Sequence, residues 1–161
     1  MAGTEPKCPL ERVGADLRDP VGRAAVFAAI GKGRAILITE GLLMYLAGAT
    51  IEALAAEAAQ TGLTHWLMEM ASPEMVRRMG ILKGFENVRA EGHIDGVQTI
   101  AVLEKYGWRR EQFRNYQADL WAAAPERVTA FKQEREAAGA PPIEPAPADD
   151  PSGIYVFGRA K

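Results

Sequence analysis

Apolar residues along this chain fall into two alternating patterns. Short, nearly unbroken apolar runs such as AILI (35–38) and WLM (66–68) suit buried strands, whereas apolar positions three and four residues apart suit helices with one covered face. Residues 10–17 predict a first strand that closes on Asp16 and Leu17. Asp19 then supplies an N-cap, Pro20 suits the first helical position because its missing N–H is not needed there, and Gly31 suits the left-handed residue that ends a helix. The helix between them, 20–30, draws its apolar surface from Val21, Ala24, Ala25 and residues 27–29.

Residues 34–39 predict the next strand, and AILI without polar alternation is what a parallel strand shows when helices cover both its faces. Thr50 opens a helix in which Ile51, Leu54, Ala55, Ala58 and Ala59 recur on one face, and Gly62 ends it. Residues 64–70 predict a third strand, and Ser72-Pro73-Glu74 caps a further helix. Glycines and charges break any period over 80–96, which is assigned mostly to loop. A short helix over 97–105, a strand over 108–116, a helix over 125–138 and a last strand over 154–159 complete the order. PPIEPAPADDPSG, residues 141–153, reads as an extended surface loop. Strands alternating with helices through short links predict an α/β layer fold with parallel strands.

Composition narrows the picture without changing it. A length of 161 residues suits one domain, and an apolar share of 48% with 25% charged residues is ordinary for a globular chain. The formal charge of −2 gives no footprint for nucleic acid, no apolar run reaches membrane-spanning length, and the first residues carry no hydrophobic signal region. The chain is therefore expected to work in the cytoplasm. One cysteine, Cys8, excludes an internal disulfide and a thiolate metal cluster; it reads as an ordinary free thiol. His65 and His93 lack ligand spacing, so no metal is expected. Ser72 and Ser152 lie outside any nucleophile elbow, which disfavours a serine hydrolase. Trp66, Trp108 and Trp121 read as packing residues rather than base-stacking platforms.

Candidate chemistry gathers in ILITEGLLMYL, residues 36–46. Ligands of open α/β sheets bind outside the carboxyl ends of the strands, and both Asp16 and Glu40 close a predicted strand there, roughly 5 Å apart if those strands are neighbours. A carboxylate in that place binds donor groups of a ligand, acts as a base, or is simply solvated. Gly41 permits positive φ or close approach of the backbone to a ligand. Tyr45 offers a hydroxyl to the cleft or packs with a wet tip.

DLRDP (16–20), with TEGLLMYL (39–46) placing Glu40 24 positions after Asp16, resembles the leucine carboxyl methyltransferase family, the class I S-adenosyl-L-methionine-dependent O-methyltransferases. TEGLLMYL is the specific part of the match. GWRREQFRNY and SGIYVFGRAK fit the family's penultimate and final strands, so the resemblance runs through nearly the whole chain, more weakly beyond Gly80. It implies a partial Rossmann-like sheet, mostly parallel with an antiparallel C-terminal strand and helices on both faces. It also implies that Asp16 and Leu17 hold the adenine of S-adenosyl-L-methionine, that Glu40 and Gly41 line the methyl-transfer cleft, and that Tyr45 shapes the substrate side as the catalytic candidate. The acceptor would be a carboxylate or hydroxyl of a small molecule or peptide C-terminus.

The family's glycine-rich turn has no counterpart here. Gly31 and Gly33 follow a helix and precede a strand, the reverse of a nucleotide loop, and read as a helix end and turn. The match therefore corresponds to the C-terminal half to two-thirds of such an enzyme. Weak cofactor binding at best is expected, together with a homodimer or a sticky monomer formed through an exposed sheet edge. The competing expectation is a non-catalytic α/β unit that works through that edge.

Overall fold

Runs rich in β-branched and aromatic residues form the strands of one sheet in the computed structural model, which describes residues 8–31, 33–73, 75, 91–139, 142 and 150–159. Strands β1 (Ala35–Thr39), β2 (Leu63–Met70), β3 (Trp108–Arg114) and β4 (Gly153–Arg159) lie in the order β1-β2-β4-β3. β1 and β2 are parallel, with Ile36 beside His65 and Thr39 beside Met68. β4 runs antiparallel to both its neighbours, β2 and β3, so the other three strands share one direction and the C-terminal strand opposes them. The architecture is α/β with a mixed four-stranded sheet.

The described helices are α1 (Pro20–Ala29), α2 (Gly48–Ala58), α3 (Gly96–Lys105), α4 (Tyr116–Ala123) and α5 (Pro125–Ala137). α1 starts as its residues dictate: the Asp19 carboxylate accepts from Val21 N–H, Pro20 opens the first turn, and Gly31 follows the end at φ +69°. Its inner face, however, is Arg23, Val26, Phe27 and Ile30, spaced by three and four; Val21 is 74% exposed and Ala24 and Ala25 also face outward, contrary to the expected apolar surface. A charged residue leads the inward stripe, and hydrophobicity alone points to the wrong side.

In α2, Ile51, Leu54, Ala55 and Ala58 are buried as their spacing requires, with Ala59 half-buried just past the helix. They pack with Trp66, Met68, Trp108, Tyr155, Phe157 and Leu103 in one core on one face of the sheet. Trp66 and Trp108 meet edge to face at 5.6 Å, and each buried indole N–H has an acceptor: Thr39 Oγ1 at 3.0 Å for Trp66, the Ala55 carbonyl at 3.1 Å for Trp108. Trp121 instead lies half-buried beneath Lys132 Nζ, 4.5 Å from its ring centre.

Four expectations need correction. Residues 10–17 form no strand; Leu10 and Val13 are exposed, and no described backbone hydrogen bond ties this segment to β1, so the segment lacks the ladder that a strand requires. The described helices do not cover both faces: at β1, Ile36 is 59% and Ile38 66% exposed, while Leu37 and Thr39 turn toward the core. β3 stops at Arg114, because the Asn115 side chain accepts from Ala118 N–H and starts α4, a helix absent from the sequence reading. The end of the Pro-rich stretch is no surface loop: Asp150 and Ser152 are buried, Ser152 Oγ accepts from Ser72 N–H at 2.8 Å, and Ser72 Oγ donates to Asp150 Oδ2 at 3.1 Å.

Ser72 also accepts from Met75 N–H at 3.0 Å, the expected cap, although the helix beyond it lies outside the described residues, as do residues 80–90 and 143–149. α3 starts one residue before its expected position, with Asp95 and Gln98 forming a reciprocal capping box. No helix among the described residues is long and apolar enough to cross a membrane.

Candidate functional site

The carboxyl ends of β1 and β2 form the natural cleft of this sheet, because parallel neighbours direct their strand ends, and the loops that follow them, to the same side. Glu40 is the first residue past β1 and is exposed. Gly41 sits at φ +56°, in the left-handed region that a β-branched or bulky residue avoids, and swings the chain into a 3₁₀ turn over Leu43–Tyr45. Leu43 and Leu46 are buried and anchor that turn to the core. Tyr45 is 45% exposed on it.

Continuing the β1–β2 register one step beyond Thr39 and Met68 sets Glu40 beside Glu69, which is also exposed. Neither acid has an ion-pair partner among the described residues. The two border a depression of about 230 Å³ whose floor is Ile38, Leu67 and Ile154. A second cavity, of about 90 Å³, runs from Gly41 and Leu43 to Met70, Asp95 and Thr99, where Gly96 N–H donates to the Ala71 carbonyl and docks the start of α3 on the end of β2.

Asp16 reaches the same end of the sheet by a different route from the one expected. It lies in the loop before α1, and the cavity of about 250 Å³ beside it is walled by Ala15 and Leu17 together with Leu37, Thr39 and Leu42. DLRDP and TEGLLMYL are thus neighbours in space, although Asp16 terminates no strand. Its carboxylate is gripped by Arg18, whose Nε and Nη2 donate to it at 2.7–3.1 Å while Arg18 N–H donates to Oδ1 at 2.9 Å. These hydrogen bonds, the side-chain ones first, hold the Asp16 carboxyl down at about 2, so it stays ionised well below neutral pH.

Arg23 organises the loop from below. It is buried, donates through Nε and Nη2 to the Glu57 carboxylate of α2 at 2.9–3.0 Å, and through Nη1 to the carbonyls of Leu17 and Arg18 at 2.9 and 3.2 Å. Gly22 leaves room for the same loop, since a Cβ there would stand 2.3 Å from the Asp16 carbonyl oxygen. Gly22→Ala is expected to destabilise the fold by about 1–2 kcal/mol despite the gain in helix propensity, because the loop must move away. Urea unfolding checks this, and a neutral or stabilising result would show that the loop does not rest on α1.

Compared with protein-family models and with curated proteins, the chain matches none. Its chemistry must therefore be read from the site itself. The sequence-derived residues Asp16, Leu17, Glu40 and Gly41 come to one end of the sheet, and Tyr45 follows on the adjoining turn. Sequence reasoning missed Glu69, Arg23 and Asp95. The signal for Glu69 was an acid near the end of an apolar strand, the same signal that marked Glu40; only the inter-strand register pairs the two. His65 lies elsewhere on β2, with Nδ1 3.0 Å from Thr64 Oγ1 and Nε2 3.4 Å from Glu111. No group of three or more potential metal ligands is gathered among the described residues.

Two adjacent acids with no ion-pair partner among the described residues, bordering an apolar floor, suit a ligand that carries positive charge and hydrogen-bond donors.

Proposed function

We propose that this chain is a class I S-adenosyl-L-methionine-dependent O-methyltransferase unit of the leucine carboxyl methyltransferase type, acting on a carboxylate or hydroxyl of a small molecule or peptide C-terminus. The observation that carries the proposal is the meeting of its two motifs: Leu17 and Leu37 to Thr39 wall one cavity, at the carboxyl end of the parallel pair. The opposed direction of β4 agrees with the final strand that the resemblance implies.

When bound, S-adenosyl-L-methionine supplies an electrophilic methyl group to a nucleophilic oxygen. Asp16 is ionised and keeps lone pairs beyond those used by Arg18, so it accepts from the adenine amine. The Leu17 carbonyl is already taken by Arg23, which leaves its N–H for the ring. Glu40 faces the cationic centre, assisted by Glu69, and Gly41 lets backbone approach closely. Tyr45, half exposed, borders the acceptor. A carboxylate acceptor is ionised at neutral pH, so orientation and exclusion of water suffice without a strong base.

The test is an amide NMR titration with S-adenosyl-L-methionine. Weak, fast-exchange binding is expected, with shifts at Leu17, Arg18 and Gly41 that vanish in Asp16→Ala and shrink in Glu40→Ala. No shift at these amides in millimolar cofactor would sink the reading. The exposed Ile36 and Ile38 favour the second reading, a non-catalytic α/β unit that works through the β1 edge. That reading predicts silence in the titration together with association.

A further inference from the structure

The β1 edge shows self-complementarity in its residue order. Strand alternation puts Ile36 and Ile38 on one exposed face of β1 while Leu37 and Thr39 point to the core side, and Arg34 and Glu40, two residues further out at either end, are the exposed flanks of the strand. Among the described residues β1 is the outer strand of the sheet, with β2 on one side only. Among the described backbone hydrogen bonds, none joins residues 8–17 to it. Arg34 and Glu40 have no ion-pair partner among the described residues.

A second copy laid antiparallel along this edge, with the two Leu37 residues opposite each other, sets Ile36 against Ile38 of the other copy twice. It also sets Arg34 against Glu40 twice. Directly opposed side chains of an antiparallel pair lie about 4.5–5.5 Å apart at Cβ, within reach of both the apolar contact and the ion pair. Any register shift by two residues loses this match, because it places Ile36 opposite a second Ile36 or opposite Glu40. The order Arg-x-Ile-x-Ile-x-Glu therefore specifies an antiparallel partner identical to itself.

We infer that two copies of this chain pair through β1 about a two-fold axis at Leu37, joining their sheets into one, with an isoleucine cluster on the open face closed at each end by an Arg34–Glu40 ion pair. The occupant of the bare face beside β1 is thus a second copy. Charge complementarity sets the register and the unpaired strand edge supplies the backbone bonds. Glu40 does not both close this pair and face a bound cofactor, so the inference rests on the second reading above, association through the β1 edge, and is tested without cofactor.

Sedimentation equilibrium of the chain alone is expected to show mass rising with concentration from 17.4 kDa toward twice that value. Arg34→Glu or Glu40→Arg places like charges opposite each other at both ends and is expected to weaken the dimer about tenfold or more. The combined Arg34→Glu/Glu40→Arg variant restores the match and is expected to recover near wild-type association. Both positions are exposed, so the fold is retained; Ile38→Lys provides an independent disruption. A monomeric wild type at about millimolar concentration overturns the inference. So does a dimer indifferent to the single changes, or one that the charge swap fails to rescue.

Discussion

Trp66→Ala is expected to lower the free energy of unfolding by about 3–5 kcal/mol, the usual cost of removing a large aromatic from a closed core. That is a large share of the roughly 5–15 kcal/mol that holds a domain together, and the melting temperature should fall by about 10 °C. Trp66 is fully buried, meets Trp108 edge to face and donates to Thr39 Oγ1. Three consequences therefore follow from one truncation: a void in the centre of the sheet, a lost aromatic pair and a buried hydroxyl deprived of its donor. Trp66→Phe separates them, since it keeps most of the ring volume and loses the N–H; about 1–2 kcal/mol is expected. Urea unfolding of the two variants checks the difference. Equal losses would mean that the hydrogen bond to Thr39, and not the packing, sets the stability of this region. That hydrogen bond also bears on the site, because Thr39 immediately precedes Glu40.

Arg23→Met should cost about 2–4 kcal/mol, less than a fully enclosed ion pair because Glu57 is partly solvated. The change leaves the Glu57 carboxylate without its fork and frees the carbonyls of Leu17 and Arg18. Faster amide exchange over residues 16–19 is expected with it, since Arg23 is the tie between that loop and α2. Arg23→Met/Glu57→Leu removes both charges together and should recover much of the loss, because a buried pair replaced by apolar side chains leaves no uncompensated charge. A single substitution costing under about 1 kcal/mol would show that Arg23 does not organise the loop. If the adenine binds at Asp16 and Leu17, the single variant also weakens the cofactor-induced shifts at those amides without altering Glu40. The loop would then be displaced while the β1 end stays intact.

Arg23 illustrates how a correct element can carry a misread face. Capping and proline signals located α1 within a residue, because they depend on neighbours in the chain: Asp19 bonds to Val21, and Pro20 needs no donor. Which side turned inward depended on a partner 34 residues away, Glu57, which makes an arginine the most buried residue of the helix. The spacing of Ile51, Leu54, Ala55 and Ala58 was sufficient for α2, where no buried charge competes with hydrophobicity.

Glu40 and Gly41 were legible for a similar reason. A strand that ends in an acid and a glycine announces its own turn, and Gly41 does adopt positive φ. Asp16 was legible as a residue and misread as a place: it was assigned to the end of a strand, but residues 10–17 have no ladder to join. Its proximity to the β1 end arises from the docking of the loop against Leu37 and Thr39, which no local pattern encodes.

By itself, then, the order of residues determined what is satisfied within a few positions: the caps of α1, the buried stripe of α2 and the turn at Gly41. Local hydrogen bonds and side-chain periodicity are short-range and are written in the chain. Tertiary structure alone decided the strand order that puts β4 between β2 and β3, the register that brings Glu69 beside Glu40, and the burial of Arg23, Asp150 and Ser152. Those features join groups tens of residues apart, and they exist only where packing has brought each polar group to its partner.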